Sequence, residues 1–225
     1  MPRLLLLLPA VALALSACGG SSSSHEDPAT ALKTAQQKLE DTSGVSISLS
    51  TDDLPGGVEG LRSATGTVTD APAYDGTLGV VTKIGSFSVP VKAVGGKVYA
   101  QIPLTPGWSE VNPSDYGAPD PAQLISAGTG VPSILAATQD PKPGKDIRGG
   151  TGNREVLSTY TGTVPGSAVA SIIPSATGDF DATYAVTSDD ELRKVALTGA
   201  FYGQTENTYT LVLTDYGTSK DITAP

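Results

Sequence analysis

The chain has 225 residues and a formal net charge of −9, from 23 acidic and 14 basic side chains. Its basic residues do not cluster, which argues against a nucleic-acid partner and against electrostatic docking on anionic lipid. The chain has one cysteine and one histidine, and His25 lies in a polar stretch near the start. These counts argue against an internal disulfide, an imidazole zinc site and a Ser-His-Asp triad in the body.

The N-terminal residues have the pattern of a secretory signal. A short apolar run, residues 4–15, follows Arg3 and is interrupted by Pro9. Because a membrane-spanning helix needs about 20 apolar residues, this run directs the chain to a membrane rather than crossing it. The run ends in Leu15-Ser16-Ala17-Cys18, which resembles a bacterial lipobox. The resemblance implies that residues 1–17 are cleaved off and that Cys18 is acylated. The alternative is an ordinary secreted protein with a stray cysteine.

The residues after the signal predict a tether and then one domain. Residues 18–26 are mostly Gly and Ser after Cys18, too polar to pack, and are typical of a flexible tether. Residues 27–225 are enough for a single large domain. Two or three acyl chains hold a protein stably on a membrane. We therefore expect a protein that is lipid-anchored on the outer, extracytoplasmic face of the cell membrane.

The domain opens with a helix and a meander of strands. Asp27-Pro28 is an N-cap followed by proline at the first helical position, and apolar residues follow at helical spacing, which predicts a helix over 28–42. From Val45 the apolar period changes to two, which predicts antiparallel strands as far as residue 102. Asp75-Gly76 is a hairpin signal. After this turn, one strand face is expected to carry Leu78, Val80 and Ile84.

The second half of the chain again combines helix signals with strand signals. Asp120-Pro121 and Pro132 are further helix-start signals, and residues 139–153 are expected to form a polar loop. Pro165 to Ile173 is expected to be a short helix, and three more strands finish the chain. The total is eight or nine strands with three or four helical pieces. Each strand has one apolar face, which predicts an α+β fold with the helices gathered on the concave side of one strongly bent antiparallel sheet.

Little in the sequence points to catalysis. The acidic clusters Asp52-Asp53 and Asp189-Asp190-Glu191 have the residue types of a calcium site or a pair of catalytic acids. Both flank turns, where carboxylates are common for backbone reasons, and we attribute them to turn chemistry. The chain has no G-x-S-x-G elbow and no phosphate-binding glycine loop. We expect no metal, no cofactor and no enzymatic activity.

The apolar residues leave two possibilities for the core. Aromatic residues make up 5% of the chain, and the predicted helices carry small aliphatic faces. A bent sheet lined with Val, Leu and Ala and covered by such helices can enclose an apolar cavity, or it can pack as an ordinary core.

Several segments, in this order and spacing, resemble one family of mycobacterial and related actinobacterial lipoproteins, LppX, LprA, LprF and LprG, and LprG in particular. The resemblance covers residues 27–225. It rests on the lipobox at Cys18, Asp27-Pro28, the hairpin Phe87 to Ile102, Trp108-Ser109-Glu110, Asp120 to Leu124, Gly130 to Leu135 and Leu211 to Gly217.

The resemblance implies a half-barrel that encloses a large apolar cavity. It implies a carrier of multi-acylated lipids or glycolipids from the inner membrane toward the outer envelope, in some members beside a membrane exporter. We expect the Gly128 to Pro132 break and residues 103–119 to border the mouth. From face alternation alone, the candidate cavity walls are Leu78, Val80, Phe87, Val89, Val91, Val98, Ile102, Leu124, Ile134, Leu135, Ile172 and Val195.

Two other functions remain open at this stage. One is a non-enzymatic envelope lipoprotein that acts as a partner or assembly factor of a membrane transporter and has no lipid cargo. The other is an enzyme acting on envelope lipids or glycans, against which the lack of a histidine in the body argues.

Overall fold

The computed structural model describes residues 26–225 except 53, 117 and 204. The predicted signal peptide, the acylated Cys18 and the tether up to residue 25 lie outside the described residues.

The first helix, α1, begins where the sequence predicts. It spans Pro28–Glu40, and the Asp27 side chain accepts a hydrogen bond of 3.0 Å from the Thr30 backbone N–H. This bond satisfies one of the free N–H groups of the first turn, and Pro28 has none to satisfy. The apolar face of α1 is fully buried and consists of Ala31, Leu32, Ala35 and Leu39.

The strands form one open antiparallel sheet. Its order is β6-β5-β4-β3-β2-β1-β12-β11-β10-β9-β7, and β8 pairs with β9. The strands are β1 Gly44–Thr51, β2 Gly60–Thr69, β3 Ala73–Thr82, β4 Gly85–Val94, β5 Lys97–Ala100, β6 Ser109–Val111, β7 Gln139–Pro143, β8 Ile147–Gly149, β9 Glu155–Pro165, β10 Thr177–Val186, β11 Leu192–Tyr202 and β12 Thr205–Thr214.

The sheet consists of two meanders that meet at its centre. The first and last strands, β1 and β12, pair with each other, while β6 and β7 lie at opposite edges. The chain between β6 and β7 therefore travels from one edge to the other. This crossing contains the 3-10 turns Pro113–Tyr116 and Pro121–Gln123 and the helix α2, Gly130–Ala137.

The helical pieces pack over the apolar side of the sheet. The turn Pro121–Gln123 contacts β2, β3 and β4, whereas α1 contacts α2, β7 and β11. The short helix α3, Gly166–Val169, contacts β9, β10 and α2. The predicted α+β class, an open antiparallel sheet with helices on one side, is confirmed.

The hairpin predicted at Asp75-Gly76 is wrong. Gly76 lies inside β3 opposite Gly66 of β2, and the chain turns earlier, at residues 70–72. The two glycines make room for the Tyr74 ring: a Cβ at Gly66 would lie 2.8 Å from Tyr74 Cε2. The Tyr74 hydroxyl then donates to the Thr65 carbonyl at 3.0 Å. Here the glycine allows a close approach between strands and does not form a turn.

The polar loop predicted over 139–153 is also wrong. It contains β7 and β8, both paired with β9, and a 3-10 turn at Thr151–Asn153. Lys and Pro are usual in edge strands, because an edge strand has one unpaired side. A polar edge strand and a polar loop therefore have the same sequence pattern. With these strands the described residues contain twelve, rather than eight or nine.

Three smaller boundaries also differ from the prediction. The helix expected from Pro165 to Ile173 is limited to α3, and the chain beyond it is tied to the sheet where Ser175 Oγ donates to the Phe201 carbonyl at 2.8 Å. Ile84 does not share a face with Leu78, because it lies in the turn between β3 and β4 and is 82% exposed. α1 ends at Glu40 rather than at residue 42. No helix in the described part of the chain is long and apolar enough to cross a bilayer.

Candidate functional site

The helix-facing side of β1 to β4 is apolar along its whole length, but only part of it is closed. Register places Val45, Val68 and Tyr74 across from one another, and all three are fully buried. Farther along the same face, toward the turn Thr82–Gly85, the side chains are only partly buried. We call these six residues the open face: Leu49, Leu61, Leu78, Val80, Phe87 and Val89.

The open face is continuous from strand to strand. Leu78 pairs with Val89, and Val80 pairs with Phe87 and with Leu61. Paired residues in an antiparallel sheet point to the same side, so these side chains form one surface. No ionisable side chain belongs to it, and such a surface excludes water without offering a hydrogen bond.

A segment of the crossing covers part of the open face. Leu124 follows the turn Pro121–Gln123, which contacts β2 to β4, and its side chain is partly buried against the core. The Leu124 carbonyl accepts a 2.9 Å hydrogen bond from the Val131 N–H. Gly130, with a φ of 52°, allows this closure, because a Cβ there would collide with the Leu124 carbonyl oxygen. The Gly128 to Pro132 break is thus a tight return of the chain beside the open face.

The predicted wall residues fall into three groups. As wall residues of a cavity they stay a prediction. Fully buried in the core are Val91, Val98, Ile134, Leu135 and Val195. Partly buried against that core are Leu78, Val89, Ile102, Leu124 and Ile172. Val80 and Phe87 are partly exposed, and both border a shallow depression of about 380 Å³.

The depression is polar apart from those two residues. Arg62 and five Ser and Thr side chains line it, and they come from β2, β3 and β4. Ser63, Gly79 and Ser88 lie opposite one another in register, one residue out of phase with the open face. The sheet at this end therefore has an apolar side and a hydroxyl-rich side.

Four residues of the same apolar region were not predicted as wall residues. Leu49, Leu54, Leu197 and Tyr202 are partly buried against the core. Leu49 and Leu197 lie on the apolar faces of their own strands. Leu49 and Leu78 both pair with Ala64 of β2, whereas Leu197 lies farther across the sheet, opposite Tyr209 of β12. A single strand's alternation does not reveal these neighbours.

A small group of polar side chains ends the apolar region on the β12 side. The Tyr209 hydroxyl donates to the Leu61 carbonyl. The Tyr202 hydroxyl lies 3.3 Å from the Tyr209 hydroxyl. Asn207 Nδ2 donates to Thr51 Oγ1 at 3.4 Å. Burial, and then the hydrogen bond with Tyr202, raise the pKa of Tyr209. The phenol stays neutral at physiological pH, so this group supplies hydrogen bonds without a charge.

Several charged side chains of the described residues form ion pairs outside the open face. Lys97 and Glu110 form an exposed ion pair of 2.8 Å, and Arg193 contacts Glu155 and Glu191 at 2.9 Å each. At the second acidic cluster, Thr187 Oγ1 accepts from the Asp189 and Glu191 backbone N–H groups, as the turn interpretation predicts. Among the described residues no group of three or more His, Cys, Asp or Glu side chains could hold a metal ion. Asp53 lies outside the described residues.

Comparison with known proteins agrees with this architecture. A family model described as LppX_LprAFG lipoprotein matches residues 27–224. The chain belongs to this family. The family match confirms the resemblance that the sequence shows. No curated protein sequence matches the chain.

Two solved structures of family members share the fold. LprF from Mycobacterium bovis superposes with a TM-score of 0.69 at 12% identity, covering 88% of this chain and 96% of that one. Lipoprotein LppX from Mycobacterium tuberculosis superposes with a TM-score of 0.63 at 15% identity, covering 90% of this chain and 100% of that one. At these identities the likeness shows the fold alone.

Proposed function

We propose that this family member binds the acyl chains of a lipid or glycolipid against the open face and carries that lipid from the inner membrane toward the outer envelope. The observation that supports the proposal is the uncharged, continuous and partly exposed apolar surface of β1 to β4. A monomeric protein ordinarily covers such a surface, and one that stays partly open marks a binding site.

Removal of acyl chains from water supplies the binding energy. An acyl chain that leaves a bilayer exposes its methylenes to water at a cost of about 0.8 kcal/mol each. Contact with the open face and with the covering residue Leu124 replaces that water. The lipid head group then lies near the hydroxyl of Tyr202, which is only partly buried and can hydrogen-bond sugar or ester oxygens without adding charge. No bond is made or broken in this process, so we assign the protein no enzymatic activity.

The proposal includes the location of the protein. Acylation of Cys18 would hold the domain on the extracytoplasmic face of the cell membrane, within reach of its lipid. A membrane exporter would be a natural partner for delivery. The mouth, in this proposal, lies between the Gly128 to Pro132 return and residues 103–119.

Lipid transfer between two vesicle populations tests the function. Donor vesicles carry a fluorescent diacyl phospholipid with a quencher, and acceptor vesicles carry neither. We expect transfer to rise in proportion to added protein above the spontaneous rate. A protein that leaves the rate unchanged, and yet is folded, would refute carriage and would favour the alternative of a partner or assembly factor without lipid cargo.

A further inference from the structure

Two large aliphatic side chains project into solvent at the same end of the sheet. Ile84, in the turn between β3 and β4, is 82% exposed. Leu104, in the segment between β5 and β6, is 100% exposed. β5 runs antiparallel to β4, back toward the turn Thr82–Gly85, so the segment that follows β5 lies at the turn's end of the sheet.

The stretch of sheet between these two residues is open. β5 pairs with β4 from Val91 to Val94, and one more bond joins the Gln101 N–H to the Pro90 carbonyl at 3.0 Å. No strand of the described residues pairs with the remaining part of β4, Gly85 to Val89, on that side. The pairing of β4 with β5 ends at Pro90. Because proline has no backbone N–H, no donor is left unpaired at that point. We call the surface around this corner the apolar rim: Ile84, Phe87, Val89, Ile102 and Leu104.

Leu104 has an unfavourable conformation as well as full exposure. Its φ is 68°, in the left-handed region where glycine or asparagine is usual. The turn is closed by a 3.0 Å bond from the Thr105 N–H to the Ile102 carbonyl. Among the described residues, nothing buries the leucine side chain to compensate for either cost. Strain of this kind, together with a protruding apolar side chain, indicates a contact made outside the domain.

The chemistry of the rim fits a bilayer. Residues 101–109 contain no charged residue, and the turn that carries Ile84 contains one, Lys83, whose side chain is 89% exposed. Lys83 pairs loosely with Glu59 at 3.5 Å. A lysine beside a protruding aliphatic tip keeps its ammonium among lipid phosphates while the tip enters the acyl region. Two protruding side chains can insert into a fluid bilayer, whereas a stable protein interface buries about 1,200–2,000 Å² in total.

The chain that precedes the domain is short. Eight residues, 19–26, separate Cys18 from Asp27, the cap of α1. A chain of that length spans at most about 30 Å when extended. An acylated Cys18 would therefore keep the domain close enough to the bilayer for one of its ends to touch it.

From these observations we infer that the apolar rim inserts Ile84 and Leu104 into the bilayer surface and so turns the open face toward the membrane. The inference rests on the proposed function for its purpose, because contact at the rim would let an acyl chain pass to the open face without crossing water. The driving force is burial of the two aliphatic side chains rather than the net charge of the protein, which is negative.

The single tryptophan offers a direct test. Trp108 lies in the same segment as Leu104, with Lys92 Nζ 5.9 Å from its ring centroid. The acylated, full-length mature lipoprotein is reconstituted into vesicles whose lipids carry brominated acyl chains, which quench nearby tryptophan. The variant Ile84→Ser/Leu104→Ser is compared with a matched control, Ile147→Ser/Val156→Ser, which removes two side chains exposed at 41% and 56% on β8 and β9.

We expect strong quenching of Trp108 in the parent protein and in the control variant. In Ile84→Ser/Leu104→Ser the partition of the rim into the bilayer should fall by roughly a hundredfold or more, since two buried aliphatic side chains are lost. Equal quenching in all three proteins, or none in the parent, would overturn the inference.

Lipid extracted from the same samples separates this inference from the proposed function. Bound lipid at the parent level together with reduced quenching in the rim variant supports the inference, because the lost quenching then comes from the bilayer and not from bound lipid. Bound lipid with an unquenched Trp108 overturns the rim contact and leaves the carrier function standing. Quenching that depends on the rim, in a protein that holds no lipid, overturns the carrier function and leaves the membrane contact.

Discussion

Substitution of Val89 by tryptophan tests whether the open face is the lipid site. Val89 lies beside Leu78 in register and is partly buried, so an indole at this position would extend over the open face. The added ring takes up the room of roughly four methylene groups, and at about 0.8 kcal/mol per methylene the bound lipid loses about 3 kcal/mol. This corresponds to roughly a hundredfold weaker binding.

The assay measures the lipid that remains bound to purified protein at equal vesicle concentration. Val212→Trp is the matched control, because Val212 is a valine in the central strand β12, is 37% exposed, and points to the other side of the sheet from Leu211 and Leu213. We expect Val89→Trp to lose its lipid and Val212→Trp to keep it, with similar melting temperatures. A folded Val89→Trp protein with the parent's lipid content would refute the assignment of the open face.

Three further predictions concern stability and anchoring. Burial raises the pKa of Tyr184 to about 12, so the stability that comes from keeping this phenol neutral is present below its ordinary pKa near 10 and is lost as the pH rises from there toward 12. This loss amounts to about 3 kcal/mol at about 1.4 kcal/mol per pKa unit. Tyrosinate absorbance should show the buried phenols ionising together with unfolding. Early, reversible ionisation of every tyrosine would contradict this prediction. Gly199→Ala places a Cβ against the Phe180 ring and should lower the free energy of unfolding by about 1–3 kcal/mol in a denaturant titration. The control Gly56→Ala has open space around it and should change that free energy by less than about 0.5 kcal/mol. Equal effects of the two substitutions would show that Gly199 is not constrained. Cys18→Ala should abolish membrane anchoring in a fractionation assay while leaving lipid binding by residues 27–225 intact, and loss of both would mean that the anchor is part of the site.

Local signals predicted the elements whose cause is local. The cap at Asp27 and the proline after it define the start of α1 to the residue, because both act within one turn of helix. Alternation likewise identified the apolar sides of β1 and β12. Gly76 was misread because its reason lies on another strand, in the space that Tyr74 needs above Gly66.

The candidate site was only partly predictable for the same reason. Val89 and Val91 have the same residue type, the same strand and the same face, yet Val91 is buried and Val89 is half open. The difference arises from β5, which pairs with β4 at Val91 and ends before Val89. Where a neighbouring strand stops, and which helix covers a face, are properties of the assembled sheet.

The apolar rim has a comparable origin. Ile84 continues the alternation of its strand in the sequence, and only the position of the turn exposes it. Leu104 carries no periodic signal, and its conformation becomes visible only with the backbone in place.

The most direct measurement for the central claim is the lipid content of the protein itself. Protein produced from the full sequence is purified, and bound lipid is quantified by native mass spectrometry and by solvent extraction. We expect an acylated lipid at near-stoichiometric amounts in the parent protein and its loss in Val89→Trp. Folded protein that carries no lipid, with membrane lipid present throughout its production, would contradict the account.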